Sequence, residues 1–303
     1  MQIIDFNIKD NKLENNNERI IILGKFNTLH LGHQKLLNKA IELKNKTNKE
    51  LIIMVYPDFN GFNKKQIKNI LPLEERIKIF KKYNVDYLLL FEKNAKNYQI
   101  TREKFIKYLK EKLNVMDVFV GENFSFGKNK LDDLILLNNN FNLHLIKLVY
   151  YNNQIISTSL IKMLLDEGAI EDVKKLLGFN YFYSGKVVHG MGIGKKYKTP
   201  TANVDVNKNL YPPMQGIYLS KVLIDNKYYY GITSISNNPT FKERPITFET
   251  HIFNFDQDIY DQLIYVELIK FMREPIKFTS IKKLFEQIEI DKKDAIMFIN
   301  KKK

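Results

Sequence analysis

The chain has 303 residues, 44% of them hydrophobic and 13% aromatic, with a net charge of +14 and no cysteine. That length accommodates two domains with proper cores, and the missing thiols exclude disulfides, cysteine nucleophiles and cysteine-held zinc. The basic excess is spread along the chain, 29 Lys+Arg against 21 Asp+Glu through Leu177 and 19 against 13 beyond it, which describes solvated lysine faces better than a nucleic-acid-binding arm.

The first residues lack a basic start followed by an apolar run, and no stretch reaches bilayer length, so a cytoplasmic protein without a membrane partner is expected. Residues 19–24 read as a buried strand and residues 34–41 as a helix. Between them stand His30-Leu31-Gly32-His33. A strand ending at a helix N-terminus offers free backbone N–H groups and a positive dipole end to an anion. Two imidazoles there can donate to a triphosphate, and Gly32 allows close approach. Two surface histidines meeting by chance at a loop end would give the same letters. Residues 51–56 and 87–91 fit buried parallel strands, with helical spacing over 73–83. Thr101 caps a helix carrying Phe105, Ile106, Leu109 and Leu113 on one face. Residues 115–121 form another strand, 122–127 a turn, and 142–150 the last strand of a doubly wound α/β domain, with its sites at strand C-terminal ends. His144 is expected to face outward on that last strand.

After Leu177-Gly178 the pattern changes to successive strands over 181–188, 216–224, 227–235, 246–255 and 263–271, with Asp225-Asn226 as a tight turn. This predicts an antiparallel sheet or closed barrel. Two helices should finish the chain, the first capped by Thr279 or Ser280 and the second starting near Asp291. The stretch Val187-Val188-His189-Gly190-Met191-Gly192-Ile193-Gly194 can fold a backbone over phosphates or be a plain loop. His189 is read as a buttress of that turn, and Tyr228-Tyr229-Tyr230 as barrel packing. Pro200-Thr201-Ala202-Asn203 supplies oxygen ligands suited to Mg²⁺. Glu249 stands in an alternating strand, where it is either a general base or a solvent-facing residue. Nothing in the sequence sets an oligomeric state.

These motifs together resemble the bacterial bifunctional riboflavin kinase/FAD synthetase family, from about residue 19 to 295. Gly24-Lys-Phe26-Asn27-Thr28-Leu-His30-Leu-Gly32-His33 resembles its Gly-x-Phe-Asp-Gly-x-His-x-Gly-His loop. Gly121-Glu-Asn123-Phe-Ser-Phe-Gly127 and Ile156-Ser157-Thr158-Ser159-Leu-Ile-Lys162 resemble two further signatures. The second half is similar through Val188-His-Gly190, Pro200 to Asn203, Pro239-Thr-Phe241, Glu249-Thr-His251 and Arg273.

The resemblance implies a Rossmann-like nucleotidyltransferase domain over residues 1–177 and a riboflavin kinase barrel with terminal helices over 178–303. It implies riboflavin, FMN and ATP as small-molecule substrates, Mg²⁺ held by Thr201 and Asn203, and no nucleic-acid partner. Glu249 would take the proton of the riboflavin 5′-hydroxyl, and Arg273 with Glu249 would contact the flavin. Gly190, Gly192, Gly194 and Lys195 would line the kinase's ATP. In the first domain His30 and His33 would stabilise charge while FMN attacks ATP to give FAD. Gly24, Phe26, Asn27, Gly32, Asn123, Ser157, Thr158, Ser159 and Lys162 would surround that nucleotide.

This chain departs from the family pattern mostly in the first half. Asn27-Thr28 replaces Asp-Gly, losing a carboxylate and a flexible position; Leu160 and Lys162 stand where arginines are usual, and Lys162 lacks the bidentate fork. A Thr-Phe-x-Pro-His-Pro segment is not visible around Asp58. In the second half, Lys198-Thr199 and Ser234 with Ser236 also differ. The alternative is a riboflavin kinase alone, whose first domain serves another nucleotidyl transfer, such as cytidylyl transfer, or a regulatory or nucleic-acid-binding role.

Overall fold

A six-stranded parallel sheet organises residues Met1–Thr158, the first of two compact units; Ser159–Lys303 form the second. The computed structural model describes residues 1–8, 13, 15–58, 66–92, 94, 97, 99–125, 130–190, 200–237 and 246–301.

The first unit runs β1 (Gln2–Asp5), β2 (Arg19–Leu23), α1 (Leu31–Thr47), β3 (Glu50–Val55), α2 (Leu73–Lys82), β4 (Tyr87–Leu90), α3 (Arg102–Glu111), β5 (Val115–Gly121), α4 (Lys130–Asn138) and β6 (Asn142–Ile146). The strand order is β1-β4-β3-β2-β5-β6. β2 is buried along its whole length, as its unbroken apolar run demands of a strand covered on both faces. The chain leaves β2 toward β3 on one side and returns to place β5 on the other. The crevice for ligands therefore opens where β2 and β5 end, at the reversal of strand order.

Several elements differ from the sequence reading. The four-residue edge strand β1 and the helix α4 are additions to the sequence reading. The strand expected over 142–150 stops at Ile146, and a small hairpin, β7 (Tyr150–Tyr151) with β8 (Gln154–Ile155), turns through Asn152 and Asn153. His144 is not a free outward residue: its ring stacks on Phe119 with centroids 4.2 Å apart, and its Nε2 lies 2.8 Å from Asp117 Oδ1.

The second unit contains α5 (Thr158–Asp166), from Ser159 onward, and α6 (Ile170–Leu177). The strands β9 (Phe182–Val188), β10 (Ala202–Val206), β11 (Gly216–Ile224), β12 (Lys227–Ser236), β13 (Thr247–Ile252) and β14 (Leu263–Arg273) follow, then α7 (Ile281–Lys301). The six strands close into an antiparallel barrel in the order β10-β13-β12-β11-β14-β9. Asp225 and Asn226, at φ 45° and 62°, make the two-residue turn between β11 and β12.

The chain ends in one helix rather than two. Asp291 does not cap a second start; it lies inside α7, where Arg273 and Gln287 both donate to it. Tyr228 and Tyr230 do not pack in the barrel either: they face solvent, and Lys221 Nζ sits 3.9 Å above the Tyr228 ring.

Among the described residues, glycine is used sparingly for left-handed backbone. Asn48, Asn84, Asn114, Asn152, Asn153, Asn226 and Asn254 all have positive φ, which their short polar side chains tolerate. Asn48 closes α1 in this way, its N–H donating to the Lys44 carbonyl at 3.0 Å.

Candidate active sites

In the first unit the loop after β2 turns through Phe26 and Leu29, both at positive φ, and delivers His30 to the N-cap of α1. Gly24 leads out of β2, and the Phe26 ring is fully buried. The imidazole takes the place of the usual Ser or Asp cap: His30 Nδ1 accepts the N–H of His33 at 3.4 Å, leaving its Nε2–H free to donate elsewhere. The His33 ring stacks between neighbours, 3.9 Å from His30 and 4.7 Å from Phe26 by centroid. A Cβ at Gly32 would press on the His30 ring at 3.1 Å, so the missing side chain is what lets that ring fold back over the helix end.

Burial pushes His30 down to about 4. Burial, then the neighbouring His30 and Arg76, holds His33 well below the usual histidine value. Both rings are therefore neutral donors at neutral pH, not cations.

The two departures in this loop are built into the site. Thr158 Oγ1 donates to Asn27 Oδ1 at 2.8 Å, tying the loop to the Ser/Thr signature. Thr28 is fully buried with its hydroxyl 3.4 Å from both His33 Nδ1 and Thr158 Oγ1. Its φ is not left-handed, so no flexible position is lost where the family pattern has glycine. At the end of β5, Gly121 and the exposed Asn123 form a turn closed by Phe124 N–H to the Gly121 carbonyl, 2.9 Å. Asn123 thus stands at the C-terminal end of the strand next to β2.

Sequence reasoning missed a buried group at the end of β3. Asp58 pairs with Arg76 of α2, accepts Asn69 Nδ2 at 2.8 Å and accepts the Leu73 N–H at 2.6 Å. The signal was present: an aspartate after a buried strand and an arginine on the apolar face of the following helix.

The remaining predicted residues of this set lie in or beside α5. Ser157 precedes it, and Ser159 is exposed on its first turn. Lys162 lies over the Tyr211 ring, 4.3 Å from its centroid, with its pKa lowered by burial. Tyr211 in turn donates to Asp166 at 2.8 Å.

In the barrel, the alternation along β13 turns Phe248, Thr250 and Ile252 inward and Thr247, Glu249 and His251 outward. β10 pairs with β13 so that Asn203 stands directly opposite Glu249. On its other side Asn203 pairs with Val188, the last residue of β9. Gly190 follows two residues later, and a Cβ there would fall 2.2 Å from Asn203 Nδ2, so only glycine lets this backbone lie against the amide. Burial raises the Glu249 pKa above the ordinary carboxylate value.

A cleft of about 430 Å³ opens beside them, walled by Gly190, Pro200, Thr201, Asn203, Phe255 and Tyr260 among others. Glu249 lies just outside that wall. His189 does more than buttress the turn: its ring lies against Tyr260, tilted by 32°, with centroids 3.8 Å apart. Gly192, Gly194, Lys195, Lys198, Thr199 and the segment 239–241 lie outside the described residues.

Within the described residues no hydrogen bond engages the side chains of Thr201, Asn203 or Glu249. No group of three His, Asp or Glu side chains among the described residues is placed to hold a metal. A hydroxyl and an amide oxygen beside a carboxylate suit Mg²⁺, which takes few protein ligands and completes its shell with water and phosphate.

Arg273, the flavin candidate, reaches the terminal helix. Its Nε and Nη2 donate to Asp291 at 2.9 and 2.6 Å, and Nη1 donates to the Glu274 carbonyl. The bidentate pair with a carboxylate fastens that helix to the end of β14.

A doubly wound unit with two imidazoles at the helix N-terminus of its switch point, followed by a closed barrel that sets Glu249 opposite Asn203, is the architecture of a two-site transferase. The FAD synthetase family model matches residues 12–160 and the riboflavin kinase model residues 177–299. A bifunctional riboflavin kinase/FMN adenylyltransferase of Buchnera aphidicola subsp. Schizaphis graminum is 34% identical over 91% of this chain and 92% of its own length. Its counterpart from Bacillus subtilis is 31% identical over 93% and 92%. A crystal structure described as a macrolide-efflux protein from Streptococcus pneumoniae superposes with a TM-score of 0.86 at 26% identity, covering 97% of this chain and 99% of that one. No helix among the described residues here is long and apolar enough to cross a membrane. The chain belongs to the bifunctional riboflavin kinase/FMN adenylyltransferase family.

Proposed function

We propose that the barrel unit phosphorylates riboflavin to FMN with MgATP, and that the parallel-sheet unit joins FMN to the adenylyl group of a second ATP, releasing pyrophosphate. The observation that carries the first reaction is the cross-strand pair Asn203–Glu249, with Thr201 and Gly190 beside it. Glu249 takes the proton of the riboflavin 5′-hydroxyl as its oxygen forms a bond to the γ-phosphorus and ADP leaves. A carboxylate whose pKa is raised by burial is a stronger base than a free one, and such catalysis is worth about 10²- to 10⁴-fold. Thr201 and Asn203 would hold Mg²⁺ with their hydroxyl and amide oxygens, and Gly190 lets backbone approach the phosphates. Held there, Mg²⁺ would neutralise charge on the transferring phosphate.

In the second reaction a phosphate oxygen of FMN attacks the α-phosphorus of ATP. His30 donates through Nε2–H to the phosphate oxygens, and the N-terminal N–H groups of α1 add their share. Asn27, Thr28 and Thr158 hold His33 in its stacked place, and Asn123 positions the nucleotide from the end of β5. That network favours a working adenylyltransferase over a degenerate one. Both reactions belong where MgATP is supplied, in the cytoplasm.

Incubating the chain with riboflavin, ATP and Mg²⁺ and separating the flavins by chromatography should show FMN first and FAD after it. Excess EDTA should stop both. Undiminished FMN formation in EDTA overturns the metal assignment, and FMN without FAD at any MgATP concentration overturns the second activity.

A further inference from the structure

β10 and β13 pair at two positions only, Ala202 with Thr250 and Asn203 with Glu249. One residue before that ladder stands Thr201, whose hydroxyl the kinase reading assigns to Mg²⁺, and before it Pro200, which has no N–H to offer any strand. The segment therefore leaves the sheet at the very residue that must be held still.

A side chain takes over where the ladder stops. His251, two residues after Glu249 on the same outward face of β13, puts its Nδ1 2.9 Å from the Pro200 carbonyl oxygen. A carbonyl can only accept, so Nδ1 carries the hydrogen. Phe253 stands edge-on to the ring at 5.9 Å and braces it from the C-terminal side. Thr201 is thus spanned by two anchors: the His251 clamp on Pro200 before it and the strand pairing of Ala202 after it.

We propose that His251 is a positioning residue of the kinase, its Nδ1–H gripping the Pro200 carbonyl so that the Thr201 hydroxyl is presented beside Asn203 for metal-bound phosphate. The proposal rests on the reading of Thr201, Asn203 and Glu249 as the kinase site. Asparagine can place an amide N–H near the position of Nδ1, whereas alanine and leucine cannot donate at all.

The test uses the full chain, with riboflavin and MgATP as substrates. H251A should lower kcat/KM for MgATP by about 10- to 10²-fold, the scale of a misplaced reacting group. Its riboflavin Kd, read from flavin fluorescence, should stay within about twofold of wild type, and H251N should recover most of the loss. The shape of the pH–rate profile should be the same in all three proteins. Should H251A melt too early to assay, H251L against H251N makes the same comparison with bulk retained. H251A at wild-type kcat/KM, with T201A inactive, overturns the clamp and leaves the kinase site standing. H251N as impaired as H251A overturns the Nδ1–H role. Full activity of T201A overturns the underlying site, and the clamp with it.

Discussion

Glu249 is a carboxylate held against its own solvation, and that has two measurable consequences. Replacing it by glutamine keeps the shape and removes the base, so FMN formation should fall by about 10²- to 10⁴-fold while riboflavin still binds; a loss under threefold would make Glu249 an ordinary strand residue. The second consequence is in stability. A carboxyl whose folded pKa is raised costs nothing below its unfolded value, and the cost grows as pH rises through the folded one. E249Q should therefore melt at or above wild type at pH 7 to 8, with the difference closing toward pH 4. The histidines give a different signature. With His30 near 4 and His33 also depressed, neither ring should add a step near 6.5 to the pH profile of kcat/KM for FAD formation beyond the one the substrate phosphates give by their own titration. A step there that disappears in H30N or H33N would mean that one ring works as a cation. At this scale the sequence was legible where chemistry is local: His30, His33, Asn203 and Glu249 sit in short motifs. His251 was not, because its meaning lies in a partner 51 residues away. Separation in sequence likewise hid the 18-residue reach from Arg273 to Asp291.

The helix α7 shows how one element depends on such a reach. Ala295 completes a small core with Leu219, Ile232 and Phe253, while Asp291, almost buried, receives both arms of Arg273 at the end of β14. Asp291→Asn keeps the size and loses the charged acceptor, so it should cost about 1.5–3 kcal/mol, the worth of a hydrogen bond to a charged group. Chemical denaturation checks this, and an unchanged midpoint would make the pair incidental. Sequence periodicity could not see that α7 is continuous, since an aspartate after a helical run reads as a new cap. Strand legibility followed burial in the same way. β2, β3, β5 and β11 are apolar enough to read directly. β1 is a four-residue edge, and β10 spends alternate positions on Asn203 and Asp205.

For the molecule as a whole, the compact units divide at Thr158–Ser159, whereas the strand pattern changes at Leu177–Gly178. The interval between is α5 and α6, and they are fastened to the barrel's own unit. Leu165 accepts the Met214 N–H at 2.8 Å, Gly168 lies against Met214 and Phe271, and Val173, Leu176 and Leu177 are fully buried. Each such side chain contributes about 1.5–3 kcal/mol by burial. A fragment of residues 159–303 should accordingly fold and keep kinase activity, while residues 180–303 should melt at least about 10 °C lower. Equal melting temperatures would show that the two helices are passengers. The asparagines at left-handed turns carry a consequence of another kind. Asparagine is the thermolabile choice for such positions, and Asn48, Asn84, Asn152, Asn153, Asn226 and Asn254 all stand exposed to water. With amides instead of glycines at these described corners, deamidation of heated protein should be found there by peptide mass mapping, at side chains that our reading assigns to neither reaction.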